Sequence, residues 1–214
     1  MQIRTQVYCF VLFLAVLLTF SLVESQVASD VRAGETAATR ASAGAAADGP
    51  FLAAVSEHFQ VPRGQVQELV ARGLEPSQVV VACFIAQRAL RGPAEIAAQR
   101  QGGLTWREIA VANGLGPEQF YTPLPFGGRK PFVNVHALFH EQPRNEWSWE
   151  SVPLGDRDVE NLVNLRFVSE RAGERAPEVL RLRTEGLDFP SIHQLLDGQR
   201  TAEVEGRDAA TLRS

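Results

Sequence analysis

The chain has 214 residues, 45 % of them hydrophobic, with 21 Lys and Arg against 25 Asp and Glu for a net charge of −4. That balance gives no overall field for a polyanion and argues against nucleic acid as a bulk partner. The two cysteines, Cys9 and Cys83, fall in unlike segments, so stability is expected from burial and not from a disulfide framework.

Residues 1–25 read as a targeting segment. A short start with one cation, Arg4, precedes an uncharged apolar run at 7–20, VYCFVLFLAVLLTF, the length of a signal-peptide core. Val23 and Ser25 fit the small-residue pattern before a cut at Gln26, and Val27/Ser29 is a second option. Uncleaved, the same run counted through Val23 reaches the lower edge of a membrane span and would act as an anchor. Either way the bulk of the chain is expected outside the cytoplasm, periplasmic or secreted. Cleavage would remove Arg4 and Glu24 together and leave the charge at −4. Residues 26–48, rich in Ala, Gly, Ser and Thr without an aromatic, read as a flexible tether.

From residue 49 the pattern is helical. Apolar spacing and proline or glycine punctuation place helices near 50–59, 63–72, 76–91, 93–101, 105–113, 157–172, 177–185 and 190–197. Three segments superimpose without a gap: VQELVARGLEPSQV (66–79), IAAQRQGGLTWREI (96–109) and VLRLRTEGLDFPSI (179–192). In each, a helix ends on Gly, the next Leu tucks back, and a second helix starts at once. The Gly-Leu pairs are Gly73-Leu74, Gly103-Leu104 and Gly186-Leu187. Thr105 with Glu108 has capping-box spacing, and Asp188 with Pro190 offers the same kind of start. Val159, Leu162, Val163 and Phe167 form one stripe, with Arg166 at its edge. No segment of the mature chain alternates with period two. The expected fold class is mainly α: short antiparallel helices in repeated helix-turn-helix units, with a long irregular connection containing Pro, Gly and Trp. The expected organisation is a helical domain at 49–121, that connection at 122–155, a second helical unit at 156–197 on or beside the first, and a disordered tail at 198–214.

GLTWREIAVANGLGPEQF lies within a stretch, 93–120, that resembles the tri-helical helix-turn-helix of bacterial regulators. Trp106, Ile109 and Ala110 match the inward positions of the first helix of the pair, Gly114 the turn, and Phe120 the buried position of the second. The resemblance implies a packing geometry. It departs where DNA would be read: PEQFYT presents Glu118, meets Pro123 and Pro125, and has no Arg or Lys before Arg129. The overall layout also resembles exported bacterial helical proteins, which implies a location and no activity.

Candidate chemistry is sparse. His136 and His140 in VNVHALFHE are four apart and would share one helical face, the spacing of a Zn or Cu pair, but position 137 is Ala and the metalloprotease HExxH is absent. A third ligand would have to come from His58, His193 or a carboxylate. The competing expectation is an amphipathic turn with Val135, Leu138 and Phe139 inward. Trp147 and Trp149 alternate, so in an extended strand both indoles face one way and could stack on a sugar or grip a peptide; alternatively they pin this stretch to the helices. FGGRKP, with Arg129 and Lys130, is a turn carrying two cations. Arg166, Arg171, Arg175, Arg181 and Arg183, alternating with Glu160, Glu170, Glu174, Glu178 and Glu185, read as an ion-paired solvent face. Cys83 in VVVACFIA reads as a buried thiol.

The sequence offers no catalytic residue and implies no cofactor. The leading expectation is a non-enzymatic binding or scaffold module of the cell envelope. Its partner is expected to be a protein or envelope component, met through 122–155, with Trp147, Trp149 and Arg129 as contacts and with membrane contact only through an uncleaved N-terminal segment. A metal protein or enzyme built on His136 and His140 is the alternative, and a DNA-binding protein is the third.

Overall fold

A computed structural model describes residues 49–124, 130–141, 143–173 and 175–211, with side chains to residue 202. The expected signal segment and tether, and Arg129 in the FGGRKP turn, lie outside the described residues.

The fold is all-α; no strand occurs among the described residues. Helix α1 occupies residues 49–59. It is followed by α2 (Arg63–Ala71), α3 (Pro76–Ala89), α4 (Pro93–Gln101) and α5 (Trp106–Ala112). A 3₁₀ turn, Pro117–Phe120, then leads to α6 (Val133–Glu141), and a second 3₁₀ turn is Arg144–Glu146. The chain closes with α7 (Asp156–Arg171), α8 (Ala176–Thr184) and α9 (Phe189–Thr211). Two expectations need correction. The connection 122–155 is not irregular throughout, because α6 occupies its middle with Val135 and Phe139 buried one turn apart. The stretch from 198, where apolar spacing runs out, continues as the backbone of α9 to Thr211.

The three repeated segments make the same turn, bond for bond. Gly73, Gly103 and Gly186 take φ of +94°, +91° and +97°. The Leu after each donates its N–H five residues back: Leu74 to Leu69 at 3.2 Å, Leu104 to Gln99 at 3.3 Å, Leu187 to Leu182 at 3.2 Å. Each glycine N–H reaches the carbonyl three back. This is the Schellman ending, in which left-handed glycine lets the chain reverse while the last helical carbonyls stay bonded. The next helix starts immediately. Thr105 Oγ1 accepts the Glu108 N–H at 3.2 Å, and Glu108 Oε2 accepts the Thr105 N–H at 2.8 Å. Asp188 Oδ1 accepts the Ser191 N–H at 2.8 Å.

Each of the helices α1–α9 contributes side chains to one hydrophobic core. Helices α3 and α7 form its centre: α3 packs on α4 and α7, and α7 packs in turn on α5, α8 and α9. Eight consecutive residues of α3, Val79–Ala86, are buried, so this helix is enclosed on all sides. Helix α7 is different, because it carries a polar seam at 156, 160 and 164. Asp156 Oδ1 accepts the backbone N–H of Trp106 at 2.7 Å and its Oδ2 accepts from Arg100 Nη1 at 2.6 Å. Glu160 Oε1 accepts from Trp106 Nε1 at 2.8 Å and from Gln78 at 3.4 Å. Asn164, fully buried, donates to the Ser77 carbonyl at 3.0 Å. The seam fixes α7 in register against the start of α3 and the start of α5, which apolar contact alone would leave free to slide.

Leu90 ends α3 in the same left-handed conformation, φ +53°, without being glycine and with 92 % of its surface exposed. A Cβ at Gly103 would meet nothing within 4 Å, so Gly103→Ala carries only the backbone cost, a loss of about 1 kcal/mol in urea unfolding after the smaller entropy of the unfolded alanine chain is counted. Leu90→Gly relieves that strain and is expected to gain about 0.5 kcal/mol. A comparable loss in both variants would contradict this reading.

Candidate functional site

The connection between the α5 hairpin and α7 is held down at both ends. At its start, Arg166 on α7 donates from Nη1 to the Gln119 carbonyl at 3.1 Å and from Nη2 to the Tyr121 carbonyl. Near its end, Trp149 is 8 % exposed; its Nε1 donates to the Leu115 carbonyl at 2.9 Å and its ring centre stands 5.8 Å from that of Phe120. The two tryptophans therefore do not present one face. Trp147 is extended, but the chain then turns at Ser148–Val152, closed by the Val152 N–H on the Ser148 carbonyl at 2.8 Å, and the alternation is lost. Trp149 pins the segment to the helices. Trp147 joins a second group.

That group is an aromatic patch. Tyr121, Phe139 and Trp147 meet pairwise with ring centres 5.2 Å (Tyr121–Phe139), 5.3 Å (Tyr121–Trp147) and 4.8 Å (Phe139–Trp147) apart. Phe139 is the buried base, while Tyr121 and Trp147 are half-buried. The exposed Arg144 lays its guanidinium 4.3 Å from the Tyr121 ring centre and 5.7 Å from that of Trp147, within cation–π range of both. Of these residues the sequence singles out Trp147 as a contact. Tyr121 and Arg144 carry no periodic signal, and Phe139 reads only as an inward position.

His136 and His140 stand one helical step around α6 from the patch base, half-buried and exposed respectively, with ring centres 4.2 Å apart. They supply two imidazoles side by side. Among the described residues no group of three or more His, Cys, Asp or Glu side chains could hold a metal ion; His58 and His193 stand together elsewhere, around Phe167. Cys83 is buried, and burial pushes its thiol up to about 12, far from the range of a nucleophile.

Phe167 on α7 is the centre of a further cluster. Phe51 meets it edge-on at 5.4 Å, His58 edge-on at 5.1 Å, and His193 lies parallel to it at 6.3 Å. His193 is 5 % exposed and its Nδ1 has no hydrogen-bond partner. Burial holds both imidazoles below their ordinary range, against the opposing pull of Glu170 on His58 and of Asp197 on His193. These rings fasten α1 and α9 to α7. The arrangement packs two imidazoles against the Phe167 ring, with His58 Nε2 also 3.4 Å from Glu170.

Comparison with family models, curated proteins and solved structures returns no match. The protein is all-α among its described residues, with a hydrogen-bonded helical turn used three times and an aromatic patch on the connection between its helical segments. No described helix is long and apolar enough to cross a membrane.

The two histidines give this fold a pH dependence of fixed sign. In the unfolded chain they take up protons near pH 6.5, and in the folded chain only at lower pH. Stability is therefore complete above about pH 6.5 and falls below it. Urea midpoints measured between pH 7.5 and 5.5 are expected to decline, less steeply in His193→Gln and least in His58→Gln/His193→Gln. Equal slopes in all three proteins would remove the histidines as the cause.

Proposed function

We propose that the protein is an exported, non-enzymatic binding or scaffold module of the cell envelope, and that it grips a protein or envelope component through the patch of Tyr121, Trp147 and Arg144. The observation that carries this reading is the patch itself: a half-buried tyrosine and tryptophan seated on a buried phenylalanine and covered by one exposed arginine. Tyr, Trp and Arg are the side chains in which binding energy concentrates at interfaces. Rings already held by neighbours lose little freedom when a partner arrives, which favours affinity. Export rests on the uncharged run at 7–20 and its flank.

Reading of duplex DNA is disfavoured by what occupies the place of a recognition helix. Pro117–Phe120 is a four-residue 3₁₀ turn with Pro117 and Phe120 buried and Glu118 exposed, which supplies neither the length nor the cations for a major groove.

Deleting 122–155 would remove the buried side chains of Phe132, Trp149, Val152 and Leu154, so a point change tests the reading more cleanly. Arg144→Glu is expected to keep wild-type stability within about 0.5 kcal/mol, as exposed substitutions do. It is expected to lose at least roughly tenfold in capture of the partner from envelope extracts, equivalent to about 1.4 kcal/mol. Capture at wild-type efficiency would remove the patch as the contact surface.

A further inference from the structure

Two arginines stand together on the molecule, neither in an ion pair among the described residues. Arg88, in the last turn of α3, holds its guanidinium carbon 3.7 Å from the centre of the Phe84 ring. Arg166, from the middle of α7, places its own 5.3 Å from the centre of the same ring. Both are half-buried. They also share a neighbour: Arg88 Nε donates to Gln119 Oε1 at 3.2 Å, while Arg166 Nη1 donates to the Gln119 carbonyl. Their hydrogen bonds go to neutral acceptors, namely Gln119 and the Tyr121 carbonyl. Among the described residues no carboxylate lies within ion-pair distance of either guanidinium. Glu170, whose charge bears on both, is 3.4 Å from His58 Nε2.

This arrangement is unfavourable as it stands. Taking a guanidinium half out of water weakens its hydration, and a second cation beside it adds repulsion. Several other arginines are supplied with acids: Arg100 has Asp156 at 2.6 Å, Arg171 has Glu57 at 3.2 Å, and Arg181 has Glu178 at 2.7 Å and Glu185 at 2.5 Å. The sequence expectation of an ion-paired solvent face holds at Arg181 and fails at Arg166. Guanidinium groups offer planar forks of N–H donors that match the oxygens of a carboxylate or phosphate, and among the described residues neither terminal nitrogen of Arg88 donates a hydrogen bond. Contact with the Phe84 ring keeps each guanidinium ordered.

We propose that Arg88 and Arg166 form a binding site for a small oxyanion, a carboxylate or phosphate group, with Arg88 as the free fork and Arg166 as the cation fixed by the backbone of Gln119 and Tyr121. The site uses only the backbone of Tyr121 and none of the patch side chains, and stands whether or not the patch binds a partner.

The test is thermal unfolding of the whole chain at pH 7.5 and constant ionic strength, in sodium chloride alone and with chloride replaced by inorganic phosphate or by acetate. Wild type is expected to rise in Tm with concentration of at least one of the two anions over chloride, and which one responds identifies the chemistry. Arg88→Gln, whose side chain is not needed to hold the 119–121 backbone, is expected to lose that rise. In chloride alone the same variant is expected to match or exceed wild type, because one of two repelling charges is gone. No rise over chloride with either anion overturns the proposal. So does a rise that survives in Arg88→Gln.

Discussion

The carboxylate of Asp156 joins parts of the chain 50 residues apart. One oxygen takes the first amide of α5 and the other takes Arg100 from the end of α4, so a single side chain in the first turn of α7 both caps one helix and ties down its predecessor. Glu160 and Asn164 extend the same line, one and two turns along, to the Trp106 indole and to the Ser77 carbonyl of α3. An all-helical core of Val, Leu and Phe tolerates sliding of one helix along another, because dispersion and burial are nearly indifferent to small shifts. A row of directional bonds at i, i+4 and i+8 is not. It sets where α7 stops.

Much of the rest follows from that placement. Phe167 arrives among Phe51, His58 and His193, which joins α1 and α9 to the central helix. Arg166 arrives beside Phe84 and Arg88 and takes hold of the Gln119 and Tyr121 carbonyls. Tyr121 in turn is the first ring of the exposed patch that Phe139, Trp147 and Arg144 complete. Surface features on which the proposed binding rests are thus positioned by where α7 is held.

The parts of the fold legible in the sequence were those written locally. Gly-Leu after a helical run marks a left-handed ending because few other residues take that φ cheaply, and Thr105 with Glu108 marks a start because both partners of the capping pair lie within four residues. Endings without glycine, at Gln60 and Leu90, give no such mark. The alternation of Trp147 and Trp149 was misleading, since a turn between Ser148 and Val152 cancels the strand geometry that would align them. Hidden altogether were pairings across long separations: Asp156 with Arg100, Arg166 with Arg88, His58 with His193 around one phenyl ring. Charge alternation along α7 and α8 looked like a solvated face, although Arg166 and Arg183 are half-buried and only the tertiary fold decides which arginines turn inward.

The claim that a polar seam on α7 fastens the α4–α5 hairpin is open to a double-mutant cycle on Arg100→Ala and Asp156→Ala, followed by urea unfolding. Side chains that are 22 % and 30 % exposed and 2.6 Å apart are expected to couple by about 1 kcal/mol, each single change costing more than it does when the other is already made. Additivity within about 0.3 kcal/mol would mean that the two act independently, and would contradict the claim that their bond fastens the α4–α5 hairpin to α7.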